Sequence, residues 1–257
     1  MFMKQFDFFD FDYKQLDTEI NLPPIVIENI EGINVVREDL LPGGTKRRAA
    51  YNFVLRYPEI DNWVYASPRQ GYAQLALAYV CRDLGKKAII YVPDSDEKTD
   101  LTKEAEEVGA EINQVPMGML TVINKRAKDR QGLGWDKTMC IPFGLDHPII
   151  VQTISNFAKQ LPIQPTEVWS VMSSGVLSRG LQMAWPDAKV YGVQIGHGTT
   201  NEEMGRAITI PKRMPFHKDC PIEERPPFPS SLTYDSKAWK HIKEMASPGA
   251  LFWNVGA

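Results

Sequence analysis

"NWVYASPRQGYAQLALAYVCRDLGKKAIIYVP", residues 62–93, decides the fold. It opens on a short β-rich run, NWVYAS. GYAQLALAYVCRDLG then sets apolar residues at helical spacing and stops at Gly85, and KKAIIYVP is a second strand of continuously apolar type. Strand, helix and strand in that order make a βαβ unit, whose parallel strands are buried on both faces.

The rhythm continues downstream. DEKTDLTKEAEEVG reads as a charged helix ending in glycine, and AEINQVP as a third strand. A helix from Leu120 to Arg130 and a glycine-rich break lead to strands TMCIPF and TEVWSVMSS, which flank the helix PIIVQTISNFAKQL. VLSRGLQMAWP and AKVYGVQIG add a helix and a strand, YDSKAWKHIKEMA an amphipathic helix, and ALFWNV a last strand. Two stretches break the pattern. The first forty residues hold short β-like pieces, PIVIEN and INVVRED, and residues 211–229 predict a surface excursion too proline-broken for regular structure.

Composition narrows the function classes. At 257 residues, 43% hydrophobic and 24% charged with a net charge of -3, the chain is ordinary for a soluble protein with a sizeable core and carries no strong nucleic-acid signal. The three cysteines lie far apart, without a CxxC pair or disulfide framework, which fits a cytoplasmic setting. Of the four histidines only His217 lies near a cysteine, Cys220, where zinc needs three or four ligands, so no metal is expected. No apolar run approaches the roughly 20 residues that cross a bilayer. The start interleaves Phe2, Phe6, Phe8, Phe9, Phe11 and Tyr13 with acids, unlike a signal peptide. Those aromatics are a candidate contact surface, or they pack across the chain's own core.

Three loops could carry chemistry. In LLPGGTKRRAA, residues 40–50, Gly43 and Gly44 permit positive φ, Thr45 is a plausible N-cap, and Lys46 falls in the first turn of a helix. There the positive end of the helix dipole, with Arg47 and Arg48 alongside, disfavours the ammonium and suits a Schiff-base lysine. Read alone, the same loop also fits a surface charge. A phosphate-binding Walker loop is excluded, because Thr45 stands where it needs glycine. In SVMSSGVLSRGL, Ser173, Ser174 and Gly175 form a strand-to-helix turn of the kind that gathers backbone amides on a phosphate, with Arg179 near, although such turns are also purely structural. In YASPRQGYAQ, Ser67, Gln70, Gly71 and Tyr72 lie on a third turn at a strand's C-terminal end, where ligands bind in open parallel sheets.

The order of these segments, RED to GGTK, SPRQGYAQLALA to LGKKAIIYVP, a serine-glycine turn and VYGVQIG, resembles the tryptophan-synthase-β-like (fold type II) pyridoxal phosphate enzymes. The branch of aminocyclopropanecarboxylate deaminase and D-cysteine desulfhydrase is the most similar, and LTYDSKAW and the closing LFWNVGA match its tyrosine-bearing segment and C-terminal strand. The resemblance covers residues 33–257. It implies an α/β fold of two three-layer domains with largely parallel sheets and a crevice between them: residues 1–50 and 146–257 as the large cofactor-binding domain, and 51–145 as a small inserted one.

The resemblance also implies roles. Lys46 matches the cofactor lysine; Ser173, Ser174, Gly175, Val176, Leu177 and Ser178 match the phosphate loop; Ser67, Gln70, Gly71 and Tyr72 match the substrate-carboxylate loop; Tyr234 lies near the substrate, and Tyr234 and Tyr72 are candidate catalytic groups. The pattern departs in three places. Gly71 stands at the family's asparagine that contacts the cofactor, SSGVL replaces GSGGT, and Val255 replaces a threonine under the pyridine nitrogen, leaving Asn254 as the polar group beside it. The expected function is a pyridoxal phosphate-dependent lyase-type enzyme acting at Cα or Cβ of an amino acid, by elimination, replacement, deamination or decarboxylation. A shorter chain with an open crevice also suits an amino acid carried on a nucleotide or modified DNA base, and the clusters Lys125, Arg126, Lys128, Arg130 and Lys212, Arg213 either meet such a polyanion or are solvated faces. A homodimer is implied by the family. The alternative is a catalytically reduced protein that binds the cofactor or a metabolite as sensor or assembly subunit.

Overall fold

The computed structural model describes residues 22–116, 118–132, 137–196 and 198–257, with only the backbone of residue 132 and of residues 211–213. The aromatic segment from Phe2 to Tyr13 and the side chains of Lys212 and Arg213 lie outside what is described.

A hairpin comes first, β1 (Ile27–Ile30) against β2 (Ile33–Arg37), antiparallel. Helix α1 (Gly44–Leu55) follows, and then the βαβ run read from residues 62–93. It comprises β3 (Asn62–Ala66), α2 (Ala73–Asp83), β4 (Lys87–Pro93), α3 (Asp100–Glu107), β5 (Glu111–Val115), α4 (Leu120–Gly132) and β6 (Thr138–Cys140). Its strands form a parallel four-stranded sheet in the order β5-β4-β3-β6. Local chemistry sets the boundaries. The Thr99 hydroxyl accepts the Thr102 N–H and so caps α3.

The rest returns to the first sheet: α5 (Pro148–Lys159), with proline at its first position, β7 (Glu167–Met172), α6 (Val176–Ala184), β8 (Lys189–Ile195), α7 (Asn201–Met204), β9 (Ile208–Met214), α8 (Trp239–Met245) and β10 (Leu251–Asn254). The six strands run in the order β1-β2-β10-β7-β8-β9. The last strand of the chain is therefore inserted at the centre, parallel to both β2 and β7. It carries the chain's end to the site. All six residues of β7 and all four of β10 are buried, as strands covered on both faces require.

One apolar cluster is continuous across both sheets, joining Phe53, Trp63 and Ile90 to Val168, Leu251 and Trp253. A second, with Val35, Trp169, Trp239 and Phe252, fills the other face of the larger sheet. Among the described residues no helix is long and apolar enough to cross a membrane.

Two sequence expectations need correction. Residues 211–229 are not wholly irregular, because β9 runs to Met214; it tolerates Pro211 as the sheet's edge strand, where a missing N–H costs no ladder bond. YDSKAWKHIKEMA is not one helix but a 3-10 turn, Asp235–Ala238, ahead of α8.

Candidate active site

The site forms where the start of α1 meets the end of β10. Gly43 caps α1 with φ 85° and Gly44 follows at φ 56°, so both adopt a conformation that other residues resist. A methyl group on Gly44 would lie 1.9 Å from the Val255 carbonyl oxygen. The glycines therefore make room for the chain's own backbone. Thr45 is not the cap; its N–H donates to the Val255 carbonyl (3.1 Å) and its hydroxyl accepts the Trp253 indole N–H (2.8 Å).

This clasp turns Lys46 into a cavity of about 190 Å³ between the two sheets. Arg47 and Arg48 point elsewhere. Arg47 binds Asp83 (2.5 Å), an acid it shares with Arg82, and Arg48 binds Glu38 (2.8 Å). Burial holds the Lys46 amine below its usual range, and Asp235 pulls the other way, so desolvation rather than the neighbouring arginines is the cause.

The turn after β3 meets Lys46 from the smaller sheet. Gln70, Gly71 and Tyr72 line the cavity. Ser67 does not; it is fully buried and its hydroxyl donates to the Pro68 carbonyl (2.9 Å), stapling the turn. A Cβ on Gly71 would sit 2.5 Å from that hydroxyl, so no side chain, asparagine included, fits this backbone. Burial pushes the Tyr72 phenol up to about 12, while the backbone N–H groups of Gly43 and Ala257 face its oxygen and pull it down.

Opposite lies the turn from β7 into α6. Ser173, Ser174, Gly175, Val176 and Leu177 line the cavity. Gly175 caps α6 at φ 69°, and a methyl there would strike the Glu203 carbonyl at 1.8 Å. Ser178 faces away, accepting from the Gln182 amide (3.0 Å), and Arg179 is paired with Asp146 (2.6 Å). What this turn offers an anion is thus the N-terminus of α6 and two serine hydroxyls.

The floor comes from the segment before α8. Tyr234 lines the cavity and its hydroxyl donates to the Val171 carbonyl (3.3 Å); burial, with Asp235 next, raises its pKa. Asp235 escapes a reading of the sequence, where it is one more acid. Here it is fully buried, one oxygen accepts the Val255 N–H (3.3 Å), and the other has no hydrogen-bond partner. Burial holds the carboxyl well above its ordinary range, with Val255 and Lys46 opposing. Asn254 stands outside the cavity, fully buried, its amide spent on Asp39 (2.7 Å) and the Pro229 carbonyl (3.0 Å). Val255 lines the cavity in its stead.

Three aromatics complete the wall: Tyr65, whose hydroxyl accepts the Gly144 N–H (3.2 Å), Phe143 and Phe216. None carries a sequence signal for a site, since each reads as a core or loop residue. Among the described lining residues Lys46 is the one formally charged side chain. The arrangement can seat a planar, phosphorylated aldehyde: an amine of lowered basicity on one side and a helix N-terminus with two serine hydroxyls opposite.

No protein-family model matches the chain. A curated relative, the glycyl-dTMP PLP-dependent decarboxylase of Pseudomonas phage M6, is 26% identical over 282 residues, spanning 92% of this chain and 99% of the relative. Solved structures share the fold at lower identity. An ACC deaminase homologue superposes with a TM-score of 0.72 at 16% identity, covering 91% of this chain and 90% of its own. Escherichia coli diaminopropionate ammonia lyase gives 0.67 at 14%, covering 95% and 86%. Threonine deaminase isoform 2 of Solanum lycopersicum gives 0.65 at 15%, covering 91% and 79%. With its two sheets and the order of its cavity loops, the chain has the fold of the tryptophan-synthase-β-like, fold type II pyridoxal phosphate enzymes.

Proposed function

We propose that this protein is a pyridoxal phosphate-dependent lyase that removes the carboxylate from an amino acid carried on a thymidine-type nucleotide. The observation that carries this is Lys46, among the described residues the one charged group lining an otherwise largely apolar cavity, which the α6 N-terminus faces. The relative of similar length whose name gives a glycyl nucleotide as substrate supports the carrier.

The residues fit the cofactor. Lys46 would supply the amine for its aldehyde, and the N–H groups and hydroxyls of Ser173, Ser174, Gly175, Val176 and Leu177 would hold its phosphate. When bound, the cofactor supplies an electron sink for the carbanion left at Cα. The chain does the rest. Gln70, Gly71 and Tyr72 lie at the start of α2, where the helix N-terminus attracts an anionic group. Among the described lining residues Lys46 is the one charged side chain that a carboxylate there would meet. Lys46, held at lowered basicity, is placed to return a proton to Cα. Tyr234 stays protonated and anchored to Val171.

The test uses purified protein supplied with pyridoxal phosphate. A visible absorption band that Lys46→Ala abolishes is expected, as is mass-spectrometric loss of carbon dioxide from a glycyl-thymidylate substrate. A colourless protein, or a substrate returned intact, refutes the proposal. A binding-only role has one observation in its favour, the absence of room for an amide side chain at Gly71; a band that no amino-acid substrate shifts would support it. The homodimer implied by the family belongs to the same proposal, and sedimentation equilibrium tests it.

A further inference from the structure

The segment that leaves β9 reads as a surface excursion, yet it delivers Phe216 to the cavity wall. Two contacts hold it there. The Gly196 N–H donates to the Met214 carbonyl (2.8 Å), and the Lys237 ammonium donates to the Pro215 carbonyl (2.6 Å). Lys237 is only 5% exposed, and burying an ammonium is costly unless it is hydrogen-bonded; here its partner is the carbonyl of the residue before Phe216. The Phe216 ring meets Tyr234 in a T-shaped pair, centroids 6.0 Å apart at 77°. Such a pair covers at most one of the two ring faces, and Phe216, which also packs against the second apolar cluster, is only partly buried.

We propose that Phe216 is the platform on which the planar base of the amino acid's carrier stacks, a pyrimidine held at the rim while the amino acid reaches Lys46. This rests on the carrier-linked substrate proposed above. A free small amino acid has no ring to place against an aromatic held so deliberately. A cavity whose described lining has no charged side chain except Lys46 must also recognise a carrier by shape and stacking rather than by ion pairs.

The experiment is calorimetric titration with thymidine monophosphate, which carries the base without the amino acid, in the presence of pyridoxal phosphate. Loss of one base stack weakens binding by about 5- to 150-fold, so Phe216→Ala is expected to fall in that range and Phe216→Tyr to stay within about threefold of the wild type. The cofactor band and thermal melt of each variant report whether its site is intact. Should Phe216→Ala lose the band, Phe216→Leu, which keeps apolar bulk without an aromatic face, carries the same expectation. The inference is overturned if Phe216→Ala, or Phe216→Leu in its place, binds within about twofold of wild type, or if the wild type does not bind the nucleotide. Failure of the cofactor proposal looks different: the band is absent from the wild type, while the nucleotide affinities still decide the role of Phe216.

Discussion

Lys46 and Asp235 are two ionisable groups whose charge this protein must manage with little help from water. Burial pushes them in opposite directions, the amine down and the carboxyl up. For Asp235 the folded state binds more protons than the unfolded chain at pH values above the ordinary carboxylate range, so wild-type stability falls as pH rises through that window. Asp235→Asn keeps an acceptor for the Val255 N–H but cannot ionise. In cofactor-free protein it is expected to melt above the wild type at about pH 8, with the advantage shrinking as pH falls toward about 4, where both side chains are neutral. Thermal denaturation across that range checks it, and a constant gap would mean that Asp235 does not titrate. Lys46 works the other way, since the cost of its buried ammonium fades as pH climbs toward the usual lysine range. Of this pair the lysine was legible in GGTK and the aspartate was not. A pattern of glycines and a helix start points at a residue, whereas the burial that makes Asp235 unusual comes from β10 being folded in from the far end of the chain.

At the scale of elements, the contact between the start of α1 and the end of β10 fixes the site. Gly44→Ala must fit a methyl 1.9 Å from a carbonyl oxygen that belongs to backbone and cannot swing aside. We expect a cost of about 2–4 kcal/mol, a fall in melting temperature of about 5–15 °C, and weakened cofactor uptake. Gly32→Ala is the control. Its φ of 84° is equally unsuited to alanine, but nothing lies within 4 Å, so only conformational strain of about 1–2 kcal/mol applies. Equal losses from the two would show that close approach is not why Gly44 is glycine. The sequence announces that these glycines matter, but not for whom. Strands and helices between residues 62 and 195 are legible because apolar runs with glycine or proline stops mark them, whereas β9 hides behind Pro211, an edge-strand residue whose neighbours do not reveal that it is at an edge.

For the whole molecule, the decisive fact is that one apolar cluster spans both sheets and one cavity is lined from both. Tyr65 and the turn through Tyr72 come from the smaller sheet, Val171, the Ser173 turn and Val255 from the larger. A ligand seated there touches both and stabilises them together. Pyridoxal phosphate at a hundredfold over its dissociation constant contributes about 2.7 kcal/mol, which for a chain of this size raises the melting temperature by about 5–10 °C. Because the core is continuous, melting followed by far-ultraviolet circular dichroism and by tryptophan fluorescence should give coincident transitions, before and after the cofactor is added. Trp63 reports from the smaller sheet and Trp169 and Trp253 from the larger, so the fluorescence samples both. Lys46→Ala keeps the α6 N-terminus and the cavity walls but loses the amine, so its melting point should rise less with the cofactor than the wild type's. Two separate transitions, only one of them moved by cofactor, would mean that the sheets melt independently and that the shared core does not couple them.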